Sequence, residues 1–185
     1  MRFPDPRTSA IFSGREPHLV PILRSPRPMS RALCAADHAA LLAMAHDAEV
    51  TRYLHEGPAP SADDVRDRVA RAAGRWDLRG YGMMAVEDAD GFVGRPGVYH
   101  PADAADRLLV YALCRRGWGK GYATEGVGLF RGWMHATHKT RHPMAHIDPR
   151  NSAPARVAAK LGAGRDGTAI RGGTTLDVWV FPTVS

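Results

Sequence analysis

Hydrophobic residues change their spacing several times along the chain, and each change marks a predicted element. Between residues 36 and 54, Leu41, Leu42, Met44 and Val50 fall at broadly helical intervals, with Asp37 placed to cap the start. Ser61 followed by Asp64 has the form of a capping box. Val65, Val69 and Ala72 then line one face of a second helix up to Gly74. From Tyr81 the pattern becomes strand-like: residues 81–86 and 92–99 read as strands joined by a turn over 87–91, and 108–114 as a third strand. Helical spacing returns over 123–138 through Val127, Phe130 and Met134. Residues 144–147 predict a short strand, 153–161 a helix stopped by Gly162, and 174–181 a closing strand.

Before residue 30 this patterning is absent. Pro4, Pro6, Pro17, Pro21, Pro26 and Pro28 remove backbone donors and fix dihedrals that helices and central strands need. The expectation is a Pro-rich N-terminal arm over 1–29 and one domain over 30–185, with Leu19, Val20, Ile22 and Leu23 forming an apolar patch suited to an edge strand. A chain of 185 residues with 44% hydrophobic and 24% charged residues can fold around one core without staples. Its two cysteines, Cys34 and Cys114, are too few for a disulfide framework and match no zinc spacing, so no metal is expected. No apolar run is long enough to span a bilayer and no signal-peptide pattern opens the chain. A cytoplasmic protein with no membrane partner, monomeric or homodimeric, is therefore expected. The net charge of +6 is spread over scattered arginines, without a recognition-helix pattern or an aromatic-basic RNA motif. A specific nucleic-acid partner is not expected, and a polyanionic ligand remains compatible with the charge.

One segment carries a chemical signal. The strand over 108–114 feeds Arg115-Arg116-Gly117-Trp118-Gly119-Lys120-Gly121 and then a helix. In such a turn consecutive backbone N–H groups point at an anion, reinforced by the positive end of the helix. Glycine allows positive φ and close approach of the main chain. A Walker loop needs Lys-Ser or Lys-Thr after its last glycine, and here Tyr122 follows Gly121. The dinucleotide fingerprint fails as well, since Gly117, Gly119 and Gly121 alternate and no acidic residue stands ready for a ribose.

Arg116-x-x-Gly119-x-Gly121, extended as Gly-Trp-Gly-Lys-Gly-Tyr-Ala-Thr-Glu over 117–125, resembles the acetyl-CoA signature of GNAT superfamily acetyltransferases in its RimJ/RimL-like form. Asp47-Ala-Glu-Val-Thr-Arg-Tyr-Leu54, Gly91-Phe-Val-Gly-Arg-Pro-Gly97, Asp148-Pro-Arg-Asn151 and Arg156-Val-Ala-Ala-Lys-Leu-Gly162 are similar to further family stretches in the same order. The resemblance covers about 31–181. It implies an α+β fold with a mixed, mostly antiparallel central sheet flanked by helices and splayed between the family's fourth and fifth strands, where the cofactor lies. It also implies acetyl-CoA as cofactor, with the main chain of Arg116, Gly117, Gly119, Gly121 and Tyr122 near the pyrophosphate. Lys120 and Ala123 belong to the same loop and helix start. Leu113, Cys114 and Asn151 would stand beside the pantetheine, although Asn151 equally suits an ordinary helix N-cap.

The pattern departs from the family where catalysis would be expected. Many members of this branch carry an acidic residue on the fourth strand, where this chain reads Leu108-Leu109-Val110-Tyr111, and Pro154 stands where a serine hydroxyl often meets the sulfur. Chemistry alone leaves His146, Asp148 and Tyr111 as candidate catalytic groups, because direct transfer needs an uncharged amine and a proton for the departing thiolate. Tyr53, His55 and Trp76, on or near the first two helices, are candidate substrate contacts. The activity implied is N-acetyl transfer from acetyl-CoA to a primary amine, on a protein N-terminus or a small molecule. The alternative is a catalytically degenerate acyl-CoA-binding module.

Overall fold

The structure, a computed structural model, describes residues 20–54, 58–99 and 107–184. In chain order these form β1 (Leu23–Arg24), β2 (Met29–Ala32), a 3-10 turn (Ala35–Asp37), α1 (His38–His46), α2 (Ala48–Thr51), α3 (Ala62–Arg79), β3 (Met84–Asp88), β4 (Gly91–Tyr99) and β5 (Leu108–Leu113). A second 3-10 turn (Arg115–Gly117), α4 (Tyr122–His138), β6 (Met144–Ile147), α5 (Ser152–Lys160), β7 (Gly164–Arg171) and β8 (Thr174–Val180) complete the order. The strands build one sheet in the order β1-β2-β3-β4-β5-β6-β8-β7. Every neighbouring pair is antiparallel except β5 and β6, which are parallel.

Strand alternation sends side chains to two separate cores. Met84, Val98 and Leu109 join Val127, Phe130 and Met134 of α4 and Ala158 of α5, while Ala85, Val110 and Ala112 face Leu41 and Met44 of α1 and Val65, Val69 and Ala72 of α3. Burying Phe130 and Phe181 completely stabilises the α4 side by roughly 1.5–3 kcal/mol per ring. Gly126 lets α4 approach the sheet closely, since a Cβ there would stand 3.1 Å from Val86 Cγ2. No helix among the described residues is long and apolar enough to cross a membrane.

Several boundaries differ from the sequence expectation. The first helix is broken at Asp47, whose extended backbone ends α1 and whose side chain caps α2 through the Glu49 amide. Asp37 does not cap α1. Its carboxylate accepts the Cys34 amide at 2.8 Å and two bonds from Arg31 instead. The Ser61–Asp64 box opens α3 as the spacing predicts. That helix runs through Gly74, where a glycine has open space, and ends at Gly80 with φ +69°. Continuation carries Trp76 onto the buried stripe. β3 starts at Met84, because Tyr81 turns into the core. Two strands have no predicted counterpart: β2, hidden among prolines, and β7, whose Gly-Arg-Asp-Gly start lies exposed and shows no apolar alternation. Of the expected arm over 1–29, Leu23–Arg24 form β1 and Met29 opens β2, so this part enters the sheet, while 1–19 lie outside the described residues.

Candidate functional site

β5 and β6 share one register pair, Leu108 with Met144, and then part. β6 continues to pair with β8 on its other side, and β5 with β4. Among the described residues, the facing edges of 109–113 and 145–147 therefore carry backbone N–H and C=O groups with no strand against them, which normally demand a partner. Unpaired groups of this kind can hydrogen-bond an extended, amide-bearing ligand.

At the C-terminal end of β5 the chain tightens into the Arg115–Gly117 turn. The Gly117 amide donates to Cys114 O at 2.9 Å and the Trp118 amide to Arg115 O at 3.0 Å. Those two amides are thereby committed, so the expected approach of Gly117 to a pyrophosphate is not through its N–H. Gly119 and Gly121 adopt φ +72° and +85°, which favour glycine. Among the described residues no backbone carbonyl takes the amides of Gly119, Lys120 or Gly121, and a Cβ on Gly119 would meet nothing within 4 Å. Tyr122 and Ala123 open α4, where the first amides have no intrahelical acceptor. The loop thus carries a short run of N–H groups that no described backbone carbonyl accepts, at the positive end of a long helix.

Charged side chains around the loop mostly brace it. Arg116 donates to both oxygens of Asp88 at 3.0 and 3.1 Å and to the carbonyls of Gly91 and Phe92, which pins the loop to the β3–β4 turn. Burial raises the Asp88 pKa, but the Arg116 bonds, the Asp90 amide and the Arg116 charge outweigh it and keep the carboxyl ionised. Arg115 pairs with Asp47 at 2.7 Å. From the turn between β1 and β2, Arg27 donates to Lys120 O at 2.8 Å, pairs with Glu125 and lies over the Tyr122 ring. Ser25 donates to the other Glu125 oxygen at 3.1 Å. The Lys120 ammonium has no such partner among the described residues. Sequence reasoning missed Arg27, Asp88 and Glu125 because Arg27 lies 98 positions from Glu125 and no local pattern connects them.

The candidate catalytic groups are dispersed. The Tyr111 hydroxyl crosses from β5 to α5 and donates to Pro154 O at 2.8 Å, and burial pushes its pKa up, so it keeps its proton. Asp148 is gripped by Arg150 at 2.7 and 2.9 Å. Those bonds outweigh burial and hold its carboxyl below the usual range. It is a brace, not a poised base. Arg171 Nε donates to His146 Nδ1 at 3.2 Å, which leaves the ring proton of neutral His146 on Nε2. Burial first, and the Arg171 charge second, push its pKa down. Burial also raises the Cys114 thiol, which keeps it protonated. Asn151 precedes α5 and makes no capping bond with its side chain.

Of the expected substrate contacts, Tyr53 lies under Arg52 and Arg150, next to the β6–α5 turn. Trp76 is 3% exposed with its indole N–H on Met83 O at 2.8 Å, so it is a core residue and faces no cleft. His55 lies outside the described residues.

The family profile described as an acetyltransferase (GNAT) domain matches residues 29–164. No curated protein matches the chain by sequence. Among solved structures, an acetyltransferase from Agrobacterium tumefaciens superposes with a TM-score of 0.76 at 24% identity, covering 91% of this chain and 99% of that one. RimL, a ribosomal alpha-N-protein acetyltransferase, superposes at 0.73 with 18% identity, covering 94% and 99%. A ribosomal-protein-alanine acetyltransferase from Vibrio fischeri gives 0.69 at 17% identity, covering 88% and 96%.

Proposed function

The chain belongs to the GNAT acetyltransferase family, and from that premise we propose that it is a cytoplasmic N-acetyltransferase moving an acetyl group from acetyl-CoA to an α-amine or another weakly basic primary amine by direct transfer. The observation that carries this reading is the run of amides from Gly119 to Tyr122 that no backbone carbonyl takes among the described residues, set beside a β5 edge with no described strand against it. Gly119, Lys120, Gly121 and Tyr122 would hold the pyrophosphate through the main chain. The β5 edge up to Leu113 and Cys114, with Asn151 opposite, would hold the pantetheine. When bound, acetyl-CoA supplies a thioester whose C–S bond is exchanged for a C–N bond to the acceptor, the nitrogen losing one proton and the sulfur gaining one.

The chain's own groups set which amine can react. Asp148 is ionised but occupied by Arg150, and the Nδ1 lone pair of neutral His146 is occupied by Arg171, so neither is ready to deprotonate an ammonium. Tyr111 stays protonated on the β5 side of the slot between β5 and β6, and its hydroxyl would have to turn from Pro154 O to reach the departing sulfur. Without a strong base the acceptor must arrive neutral. A lysine side chain costs about 4 kcal/mol to deprotonate at neutral pH and an α-amine about 1 kcal/mol, a gap of roughly a hundredfold in rate.

The test compares thiol release for a short peptide with a free N-terminus and for its N-blocked, lysine-containing counterpart, from about pH 6.5 to 9.5. Faster release with the free N-terminus at neutral pH is expected. Faster release with the blocked lysine peptide would overturn the amine assignment. Acetyl-CoA binding with no release for any amine would favour the binding-module reading.

A further inference from the structure

The face of the sheet covered by α1 and α3 holds a cation that none of the described residues neutralises. Arg95 on β4 pairs directly with Ala112 on β5, and directly opposed residues of antiparallel strands project to the same face. Ala112 packs with the α1 and α3 cluster, so the Arg95 side chain leaves the strand on that face, at a backbone level about 7 Å along the sheet from Cys114 at two residues' rise. It is half-buried. Among the described residues no carboxylate, carbonyl or hydroxyl pairs with it, and the charge that acts on it is Arg68 of α3, also positive. Desolvation and that neighbour both oppose its charge, yet a guanidinium stays protonated in proteins.

Arg131 shows how this fold treats a buried arginine kept for structure. Its terminal nitrogens donate to Leu161 O at 3.1 Å and Pro182 O at 2.7 Å, and its plane lies over Phe181. Arg95 has none of these ties. Its nitrogens are also absent from the sealed, unpartnered atoms of the described residues, which are Ser30 Oγ, Arg131 Nε and Trp179 Nε1. A half-buried cation that no described residue compensates, coupled to a second cation and close to the end of β5, would be stabilised by an anion.

We infer that Arg95, with Arg68 above it, is an acceptor-side anion site that holds a carboxylate of the amine substrate. This rests on the transfer reading above and names its substrate class: an amine that carries a carboxylate, either the carboxylate of a free amino acid or an acidic side chain beside a peptide N-terminus. Bidentate pairing with a guanidinium fixes direction as well as charge. The carboxylate would thereby set the angle at which the amine enters the slot from the face opposite α4.

The test measures product-side binding to the coenzyme A-saturated protein, so it does not depend on turnover. Calorimetry compares N-acetylglycine with N-acetylglycinamide, and N-acetylglutamic acid α-amide with N-acetylglutamine amide. At least one carboxylate should bind about tenfold or more tightly than its neutral partner, as expected of a charge-assisted pair. The pair that discriminates identifies the source, free amino acid or acidic peptide. Arg95→Met should erase the preference while leaving coenzyme A affinity unchanged. Arg95→Gln serves as a polar substitute, and Arg95→Lys, which keeps the charge, should retain part of the preference. Equal binding of charged and neutral analogues to the wild type, or an undiminished preference in Arg95→Met and Arg95→Gln, would overturn the proposal. Absence of thiol release with every amine would strike the transfer reading and leave this binding result standing on its own.

Discussion

The loop that begins α4 and the sheet face under α1 and α3 solve recognition in opposite ways. At the loop, side-chain cations are mostly spent on bracing: Arg116 on Asp88 and Arg27 on Glu125. What remains for a ligand is main chain, held in shape by two glycines at positive φ. On the other face the main chain is committed to strand pairing, and the free chemistry is a side chain, Arg95, without a counter-charge among the described residues. A main-chain site tolerates loss of side chains and fails when they are added. A side-chain site behaves in reverse.

The largest expected effect tests the main-chain half. Gly121→Val forces a β-branched residue to φ +85° and sets its Cβ 3.0 Å from the Arg27 guanidinium, and Gly119→Val forces one to φ +72°. Each should weaken acetyl-CoA by about a hundredfold or more, the strain alone being of order 1–3 kcal/mol. Calorimetric titration, with circular dichroism to confirm the fold, checks it. Unchanged affinity in both variants would remove the basis of the cofactor assignment.

Next in size is Tyr111→Phe. Loss of its bond to Pro154 O should cost about 1 kcal/mol of stability if the hydroxyl only ties β5 to α5. A proton-delivery role adds a fall in kcat of roughly tenfold or more with KM little changed. Denaturant titration and steady-state rates separate the two, and an unaltered kcat would reduce Tyr111 to a structural tie.

A smaller effect is expected from Arg27→Ala, which frees the β1–β2 turn from Lys120 O and Glu125. Acetyl-CoA affinity should drop by about threefold to tenfold because the loop loses an outer brace, not a ligand contact. Lys120→Ala should fall below that, within about threefold, since an exposed charge is screened. If Lys120→Ala proved the more damaging, the side chain and not the amides would be the principal phosphate ligand.

The smallest effect concerns pH. His146 has a folded pKa below its ordinary 6.5, so protonation is resisted in the fold. Its stabilising contribution is fully present above the unfolded pKa and is lost as pH falls through the folded one. His146→Gln should therefore flatten the stability curve just below pH 6.5, with little change near neutrality. Chemical denaturation at several pH values measures this, and an unchanged slope would show that the ring is freely solvated.

Local patterns were legible where neighbouring residues enforce them. The Ser61–Asp64 box, the Val127–Phe130–Met134 stripe and the glycine loop all stand where spacing put them, and the β3–β4 hairpin forms with its first strand shifted to Met84–Asp88, because a cap, a helical face or a positive φ is a short-range demand. β7 escaped notice because an exposed edge strand needs no apolar alternation, and Trp76 was misread because one glycine inside α3 looks like a stop until packing carries the helix past it. The sequence alone determined that a strand would deliver a glycine turn to the start of a helix, and that no carboxylate would stand on β5. Only the tertiary structure decided which charges are spent: Asp148 on Arg150, His146 against Arg171, Arg116 on Asp88, and Arg95 on none of the described residues. Pairing energies depend on distance and burial between segments far apart in the chain, and those distances exist only once the sheet has formed.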